Sequence, residues 1–180
     1  MTEREQLPVA AARAGNVEAW ESLVRRYRLP LYAYVFELVH NEQISLDIVQ
    51  ETFINATRHI GTLRDDDKFG SWLFGIAHQK CIQNWRRAGR DAELREELVE
   101  PVGAADEGPL DLLLREEQEA GFMKLLDELP PPQRSVLLLH FIEEFSLEEI
   151  ARITGTNVGT VKSRIHYAKR ALRKLLEDAK

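Results

Sequence analysis

Apolar residues recur at steps of three and four along most of the 180-residue chain, which is the spacing of amphipathic helices. A first long helix is expected to begin near Asn16, whose side chain can cap it. Pro30 is expected to bend or break this helix at Leu29, because proline has no amide hydrogen and crowds the preceding turn. Helical spacing throughout predicts an all-α protein.

Two more helices are predicted in the first half of the chain. Ser45 can cap one of them, and Gly61 is expected to end it. The next helix, over residues 69–90, is apolar around most of its circumference and is expected to be the central helix of its domain. The loop between them, 62–68, contains three consecutive aspartates. A calcium-binding loop has a longer ligand spacing and a glycine, so a solvated turn is expected.

The pattern changes in the middle of the chain. Residues 93–109 are charged and then rich in proline, glycine and alanine, which is typical of a linker. A helix is predicted over about 110–128, and the prolines at 130–132 should end it and start another over 133–145. We therefore expect two small helical domains joined by an acidic linker, with bounds 1–92, 93–109 and 110–180.

The stretch from Ser146 to Lys174 describes two helices joined by a tight turn. Ser146 and Glu149 form a capping box that opens the first helix. Gly155 is placed to end it in a left-handed turn, and Asn157 can cap the second helix. The second helix should pack by one apolar stripe, formed by Val158, Val161, Ile165, Ala168, Leu172 and Leu175.

The opposite face of this second helix is basic and rich in hydrogen-bonding groups. Residues 158–174 contain six basic side chains and no acid. Gly159 costs about 1 kcal/mol inside a helix relative to alanine, and it would let the backbone approach DNA closely. The layout is typical of a DNA-reading helix-turn-helix. An ordinary hairpin with a solvated face, or a protein-binding hairpin, would share it.

The formal net charge of −6 argues against nucleic-acid binding by the chain as a whole. The acid is concentrated in residues 89–131, with 4 basic and 13 acidic side chains, whereas residues 132–180 hold 9 and 6. Two neutral-to-basic blocks therefore flank an acidic spacer. The single cysteine cannot form an intrachain disulfide, and neither a signal peptide nor a membrane segment is visible, so a cytoplasmic soluble protein is expected.

Two polar stripes stand out in the first domain. An outward line with one isoleucine suggests a protein partner, as a weak signal; it comprises Asp47, Glu51, Ile54 and Arg58, with Gln50 beside them. The other stripe, on the helix over 69–90, suits a single-stranded nucleic acid, since bases stack on rings while cations hold phosphates. It comprises Trp72, Gln79, Lys80, Gln83, Arg86, Arg87 and Arg90. Alternatively, its tryptophan is core and its arginines cap the helix.

Catalytic and metal chemistry find little support in the sequence. His78 and Cys81 are three residues apart on a helix, but two ligands do not make a structural zinc site, so no metal is expected. Cys81 is better interpreted as a small core side chain, and His140 as a hydrogen-bonded core or interface histidine. No nucleophile–base set or phosphate loop indicates an enzyme, and no cofactor is expected.

Four segments occur in an order that resembles a known family. They are WESLVRRYRLPLYAY, DIVQETF, LRDDDKFGSWLFGIAHQKCIQNWRR and, after the acidic linker, LDELPPPQRSVLLLHFIEEFSLEEIARITGTNVGTVKSRIHYAKRAL. From Val17 to Leu176 the chain resembles a bacterial RNA polymerase sigma factor of the sigma-70 family, specifically the extracytoplasmic-function (ECF) group. This group keeps only regions two and four. The resemblance implies a region-two helical bundle, a four-helix region-four domain and promoter-specific transcription initiation.

The resemblance also implies roles for individual residues. The stripe of Asp47, Gln50, Glu51 and Ile54 would dock on the clamp helices of the largest polymerase subunit. The unpaired minus-ten promoter strand would be captured by Lys68, Trp72, Gln79, Gln83, Arg86 and Arg87. The minus-thirty-five duplex would be contacted by Arg134, Asn157, Gly159, Thr160, Lys162, Ser163, Arg164, His166, Tyr167, Lys169 and Arg170. An anti-sigma factor is a further expected partner.

Within that last set, Ser163, His166 and Tyr167 would face base edges, and the basic side chains would hold phosphates. The chain departs from the family pattern at Gln79 and Gln83, where asparagine and aspartate are frequent, and at Tyr167, where a basic residue is frequent. Its promoter preference is therefore expected to be its own. The alternative function is a stand-alone helix-turn-helix regulator that binds duplex DNA as a dimer.

Overall fold

A computed structural model describes residues 7–90 and 119–178, and within these ranges the chain is helical without strands. It separates into two compact units, Met1–Asn84 and Trp85–Lys180. The predicted linker over 93–109, its two boundaries and the start of the helix expected at 110 lie outside the described residues. No helix in the described ranges has the length and apolarity needed to cross a membrane.

The N-terminal part contains four α-helices: α1 (Val9–Arg13), α2 (Val17–Val39), α3 (Glu42–His59) and α4 (Phe69–Arg87). Two short 3-10 turns, Ile60–Thr62 and Asp66–Lys68, lie between α3 and α4.

Helix α2 begins as predicted, because the Asn16 side chain accepts a hydrogen bond from the Ala19 amide at 2.8 Å. The expected break at Pro30 is absent, and the helix continues to Val39. Leu23 and Leu31 are both fully buried on either side of the proline. Each such leucine contributes about 1.5–3 kcal/mol, which offsets the roughly 3 kcal/mol cost of an interior proline.

The predicted cap of α3 was wrong. The N-cap is Asn41, whose side chain accepts from the Ile44 amide at 2.9 Å. Ser45 is fully buried inside the helix, and its hydroxyl donates to the Asn41 carbonyl at 2.7 Å. At the other end the helix tightens into the 3-10 turn that contains Gly61, and this glycine has no positive φ.

Helix α4 is buried around most of its circumference, as its apolar pattern predicts. Phe69, Leu73, Phe74 and Ala77 are fully buried. The helix ends at Arg87, three residues earlier than predicted, where Gly89 adopts a left-handed conformation with φ of 71°.

Polar and ring contacts hold α4 against α2. The Tyr34 hydroxyl and His78 Nδ1 share a buried hydrogen bond of 2.9 Å. The ring of Tyr27 lies 5.5 Å from that of Phe69, and its hydroxyl would be 3.0 Å from a Cβ at Gly70. Glycine at this position therefore lets the two helices approach.

The C-terminal unit contains α5 (Glu119–Asp127), α6 (Pro131–Leu137), α7 (Leu147–Thr154) and α8 (Val158–Asp178). Instead of one regular helix over 133–145, α6 begins at Pro131 and passes into a π-helical turn, Leu138–Ile142. The expected burial of His140 is partial: its Nδ1 lies 3.3 Å from the Phe145 carbonyl oxygen, and the side chain is half-buried.

The helix-turn-helix caps are confirmed. Ser146 and Glu149 form both bonds of a capping box, and Gly155 is left-handed with φ of 66°. Asn157 Oδ1 accepts from the Thr160 amide at 2.8 Å. The predicted stripe of α8 is buried at Val161, Ile165, Ala168 and Leu172, whereas Val158 and Leu175 are half-buried.

Candidate nucleic-acid and partner interfaces

An apolar groove runs between α2 and α3. Its volume is about 780 Å³, and its lining includes Leu29, Leu46, Val49, Gln50, Phe53 and Ile54. Three of these side chains are large, apolar and exposed: Leu29 by 73%, Leu46 by 48% and Ile54 by 43%. Exposed apolar side chains that converge on one groove are typical of a docking surface for another protein. We refer to this surface as the α2–α3 groove.

The predicted partner stripe overlaps this groove only in part. Gln50 and Ile54 line it, whereas Asp47 and Glu51 lie on the exposed outer face of α3. Asp47 accepts a hydrogen bond from Gln43 Nε2 at 3.0 Å, and Glu51 forms an ion pair with Lys80 at 2.8 Å. Leu29 and Leu46 are groove residues that were not predicted from the sequence; the available signal was a large apolar residue outside each helix's buried stripe.

The polar stripe of α4 is exposed toward the C-terminal end of the helix, although Lys80 within it is half-buried. Gln79, Gln83 and Arg86 follow one another at steps of four and three, which places them on one side of the helix, and all three are exposed. Arg87 beside them is also exposed. Amide and guanidinium groups can hold bases and phosphates along such a line.

Two residues at the beginning of this stripe are less exposed. Trp72 is half-buried, and its ring lies 5.8 Å from that of Phe69. Lys68 ends the second 3-10 turn, directly before α4, and is half-buried. The side chain of Trp72 thus contacts the core residue Phe69 and is also partly exposed to solvent.

The outer face of α8 carries the residues predicted to contact duplex DNA. Lys162 and Arg170 are exposed, and five further side chains are half-buried, namely Ser163, Arg164, His166, Tyr167 and Lys169. The rings of His166 and Tyr167 meet edge to face, with centroids 5.2 Å apart. Lys169 Nζ lies 5.3 Å from the centre of the Phe141 ring, a cation–π contact that draws this lysine toward its own unit.

The start of α8 is organised by a single oxygen. Asn157 Oδ1 accepts from the Thr160 amide and also from the Thr160 hydroxyl, at 2.8 and 3.2 Å. A Cβ at Gly159 would lie 3.2 Å from the same oxygen. Gly159 therefore has a local role in making room for the cap, in addition to the close approach to DNA that its sequence position suggested.

Arg134 differs from the other residues assigned to duplex DNA because its side chain is buried, with 6% exposure. Its Nε donates to the Leu126 carbonyl at 2.9 Å, and its Nη2 donates to the carbonyls of Asp127 and Leu129 at 2.8 and 3.1 Å. These carbonyls lie at the C-terminal end of α5, where a cation is favoured by the helix dipole. The Arg134 guanidinium is thus buried and hydrogen-bonded inside its own unit.

The residues considered for a metal have other surroundings. His78 bonds to Tyr34, and burial raises the pKa of the Cys81 thiol to about 12. A thiol of this kind is a poor ligand and a poor nucleophile at neutral pH. Within residues 7–90 and 119–178, no three histidine, cysteine, aspartate or glutamate side chains lie together in a way that could hold a metal ion.

Comparison with known proteins gives two family matches in chain order. Residues 23–91 match the family described as Sigma-70 region 2, and residues 120–172 match the one described as Sigma-70, region 4. The RNA polymerase sigma-H factor of Pseudomonas aeruginosa is 32% identical over 183 residues, which cover 97% of this chain and 95% of that protein. The ECF RNA polymerase sigma factor SigW of Bacillus subtilis is 32% identical over 94% of this chain and 95% of its own length.

Solved structures agree with these matches. CnrH in complex with the cytosolic domain of CnrY is 27% identical with a TM-score of 0.69, over 98% of this chain and 99% of that one. The sigma factor RpoE in complex with the anti-sigma factor NepR from Bartonella quintana is 27% identical with a TM-score of 0.67, over 89% and 98%. The chain belongs to the ECF group of the sigma-70 family, non-catalytic factors that bind core RNA polymerase and direct promoter-specific transcription initiation.

Proposed function

We propose that this sigma factor docks on core RNA polymerase through the α2–α3 groove and the acidic face of α3. The observation that carries the proposal is the convergence of Leu29, Leu46 and Ile54, all exposed, on one groove. An amphipathic helical element of the partner can fill such a groove, in line with the clamp helices expected from the family. Asp47 and Glu51 beside it would attract basic side chains of the partner.

The exposed stripe of α4 is the proposed capture surface for the unpaired minus-ten strand. Gln79 and Gln83 would hydrogen-bond to bases, Trp72 would stack on one, and Arg86 and Arg87 would hold phosphates. Lys68 enters this surface from the preceding turn. Glutamine has a longer side chain than the asparagine and aspartate frequent in the family, so the preferred bases should differ from those of relatives.

Helix α8 is the proposed reader of the minus-thirty-five duplex. Its capped N-terminal end at Asn157, with Gly159 and Thr160 next to it, would approach a phosphate, and Lys162, Arg164, Lys169 and Arg170 would hold others. Ser163, His166 and Tyr167 would contact base edges in the major groove. Arg134 is left out of this surface because its guanidinium is buried against the end of α5.

An anti-sigma factor is proposed as a further partner. Two structurally similar proteins are solved as complexes: CnrH with the cytosolic domain of CnrY, and the sigma factor RpoE with the anti-sigma factor NepR. A protein that covers the α2–α3 groove would keep this chain from polymerase. Because polymerase and promoters are both in the bacterial cytoplasm, that is the proposed site of action.

In-vitro transcription with purified core polymerase tests the proposal. The template is a library randomised upstream of the start site, so no promoter need be known. A sigma factor of this kind should give transcripts whose templates share two separated upstream motifs. A stand-alone regulator would give none without another sigma factor and would shift duplex DNA alone as a dimer.

Docking is tested by holoenzyme assembly with Ile54→Asp and Asp47→Lys. Ile54→Asp should weaken core binding at least about tenfold. The apolar contact that Ile54 would make with the partner is lost, and a carboxylate must be desolvated on binding. Val17→Asp, at an apolar residue of α2 that is 68% exposed and outside the groove lining, is the matched control. Unchanged assembly with both groove-side variants would reject this docking surface.

A further inference from the structure

The last residue of α1 reaches across to the loop between α3 and α4. Helix α1 packs on α2, and its side chains Val9 and Ala12 are buried, with 0% and 2% exposure. Arg13 projects from this fixed turn toward residues 47 to 53 positions later in the chain. Its side chain is 33% exposed.

Arg13 contacts the loop at three separate points. Its Nε lies 3.5 Å from the Ile60 carbonyl oxygen, and its Nη2 donates to the Leu63 carbonyl at 3.2 Å. Nη2 also forms an ion pair with the carboxylate of Asp66. One planar guanidinium thus bridges the first 3-10 turn, the extended residue after it and the start of the second 3-10 turn.

The three consecutive aspartates acquire separate roles in this arrangement. Asp65 Oδ1 accepts from the Asp67 amide at 3.1 Å and so caps the second 3-10 turn, whereas Asp66 pairs with Arg13. The Lys68 amide then donates to the Asp65 carbonyl at 3.0 Å. Asp66, the residue that pairs with Arg13, therefore lies in the same 3-10 turn as Lys68, between the two ends of this backbone hydrogen bond.

We propose that Arg13 is a positioning residue for capture of the unpaired promoter strand. It fixes the loop over 60–66 and thereby sets Lys68 and the beginning of the α4 stripe. The inference rests on the proposed function of that stripe. Arg13 itself lies outside residues 23–91, the range that matches the region-2 family, so the family match gives it no role.

The physical reason is pre-organisation. Most of the loop is exposed, and Ile60 is its buried residue, so the loop has few contacts of its own. A loop that is ordered before the strand arrives does not lose conformational freedom on binding. The guanidinium suits this task because it presents several donors in a rigid fork, which the single ammonium group of lysine cannot reproduce.

A role in fold stability alone, or in long-range charge alone, would give different results. If Arg13 acts only through fold stability, its loss should lower activity without altering which bases are preferred. If it acts only through long-range charge, Arg13→Ala and Asp66→Ala should have opposite effects, because one removes a positive charge and the other a negative charge. Local positioning predicts that both variants shift the same property in the same direction.

The experiment measures base preference with complete holoenzyme. Wild type, Arg13→Ala, Arg13→Lys and Asp66→Ala are assembled with core polymerase and transcribe the library randomised upstream of the start site. Arg25→Ala, at an exposed arginine of α2, is the matched control. Holoenzyme assembly is measured in parallel, and hydrogen exchange of the amides in 17–59 reports whether each variant is folded.

Arg13→Ala should reduce discrimination between preferred and other bases at the minus-ten motif about tenfold, which corresponds to about 1.4 kcal/mol. Asp66→Ala and Arg13→Lys should each reduce this discrimination about threefold, because some of the contacts between residue 13 and the loop remain. Preference at the minus-thirty-five motif, core binding and the Arg25→Ala control should remain as in wild type.

Wild-type base preference in Arg13→Ala would overturn the inference, as would an equal loss at both motifs or opposite shifts in the Arg13→Ala and Asp66→Ala variants. These results are distinct from failure of the proposed function, in which wild-type holoenzyme itself yields no pair of motifs. That result would refute both proposals, whereas normal wild-type motifs with unaltered variants refute only the positioning role.

Discussion

Replacing Arg134 by alanine should destabilise the C-terminal unit instead of weakening a DNA contact. The guanidinium makes three hydrogen bonds to carbonyls at the end of α5, two of them buried and the one to Asp127 partly buried. A hydrogen bond to a charged group contributes about 1.5–3 kcal/mol net. The two buried bonds, to Leu126 and Leu129, are each assigned about 1.5 kcal/mol, the lower value of this range. The bond to Asp127 is left out of the sum because water can reach that carbonyl and replace it. The expected loss of stability is therefore about 3 kcal/mol.

That loss is large beside the roughly 5–15 kcal/mol that holds a domain folded. Hydrogen exchange followed by peptide mass spectrometry is the appropriate assay, because it reports each unit within one molecule. Amides in residues 131–154 should exchange roughly a hundredfold faster than in wild type, while those in residues 17–59 should not change. Arg134→Lys should give an exchange rate in residues 131–154 between those of wild type and Arg134→Ala, because one lysine nitrogen replaces the two guanidinium nitrogens that donate.

The matched control is Arg152→Ala, at an exposed arginine of α7 in the same unit. It should leave exchange in residues 131–154 within about twofold of wild type, because exposed side chains away from caps and networks contribute little. If Arg134→Ala matched this control in exchange but lost duplex binding, the buried hydrogen bonds would contribute little to the stability of the unit. Arg134 would then be a DNA contact after all.

Three further perturbations follow from the local contacts. Asn157→Ala should cost about 1 kcal/mol at the start of α8, visible as faster exchange there, whereas Asn157→Ser should keep the cap; equal effects would contradict the role of the side-chain oxygen. The Cys81 thiol, with its pKa raised to about 12, should react with a disulfide reagent at about pH 8 only after denaturant is added; rapid modification of the folded protein would show that it is accessible. Burial raises the pKa of Glu143 above its ordinary 4.5, so its protonated form stabilises the fold and this stabilisation is lost as pH rises through the folded-state pKa. Glu143→Gln should therefore slow exchange in residues 131–154 more at about pH 7 than at about pH 4, and the reverse order would exclude a raised pKa.

Features that depend on a few neighbouring residues could be predicted from the sequence. The capping box of Ser146 and Glu149, the left-handed Gly155 and the cap at Asn157 each require only contacts within one turn. Where two nearby residues could both cap the same helix, tertiary packing determines which of them does. Ser45 and Asn41 can both cap a helix, and Asn41 is the cap because Ser45 is buried one turn further along.

Other features depend on partners that are distant in sequence. Nothing in the spacing of Arg134 distinguishes a buried arginine from a DNA-binding one, and its carbonyl partners become apparent only once α5 and α6 pack. Leu29 and Leu46 lie on separate helices and form one groove only when α2 and α3 come together. The contacts of Arg13 span about fifty residues, and no local pattern could indicate them.

The ion pair between Glu51 and Lys80 joins the two proposed surfaces of the first domain. Glu51 lies on the outer face of α3 and is 62% exposed, whereas Lys80 adjoins Gln79 on α4 and is 16% exposed. A substitution of Glu51 in the proposed docking surface would remove the ion pair of Lys80, which lies beside the proposed capture surface. The two proposed surfaces thus share one ion pair, and changes in polymerase docking and in promoter preference are expected to be inherited partly together.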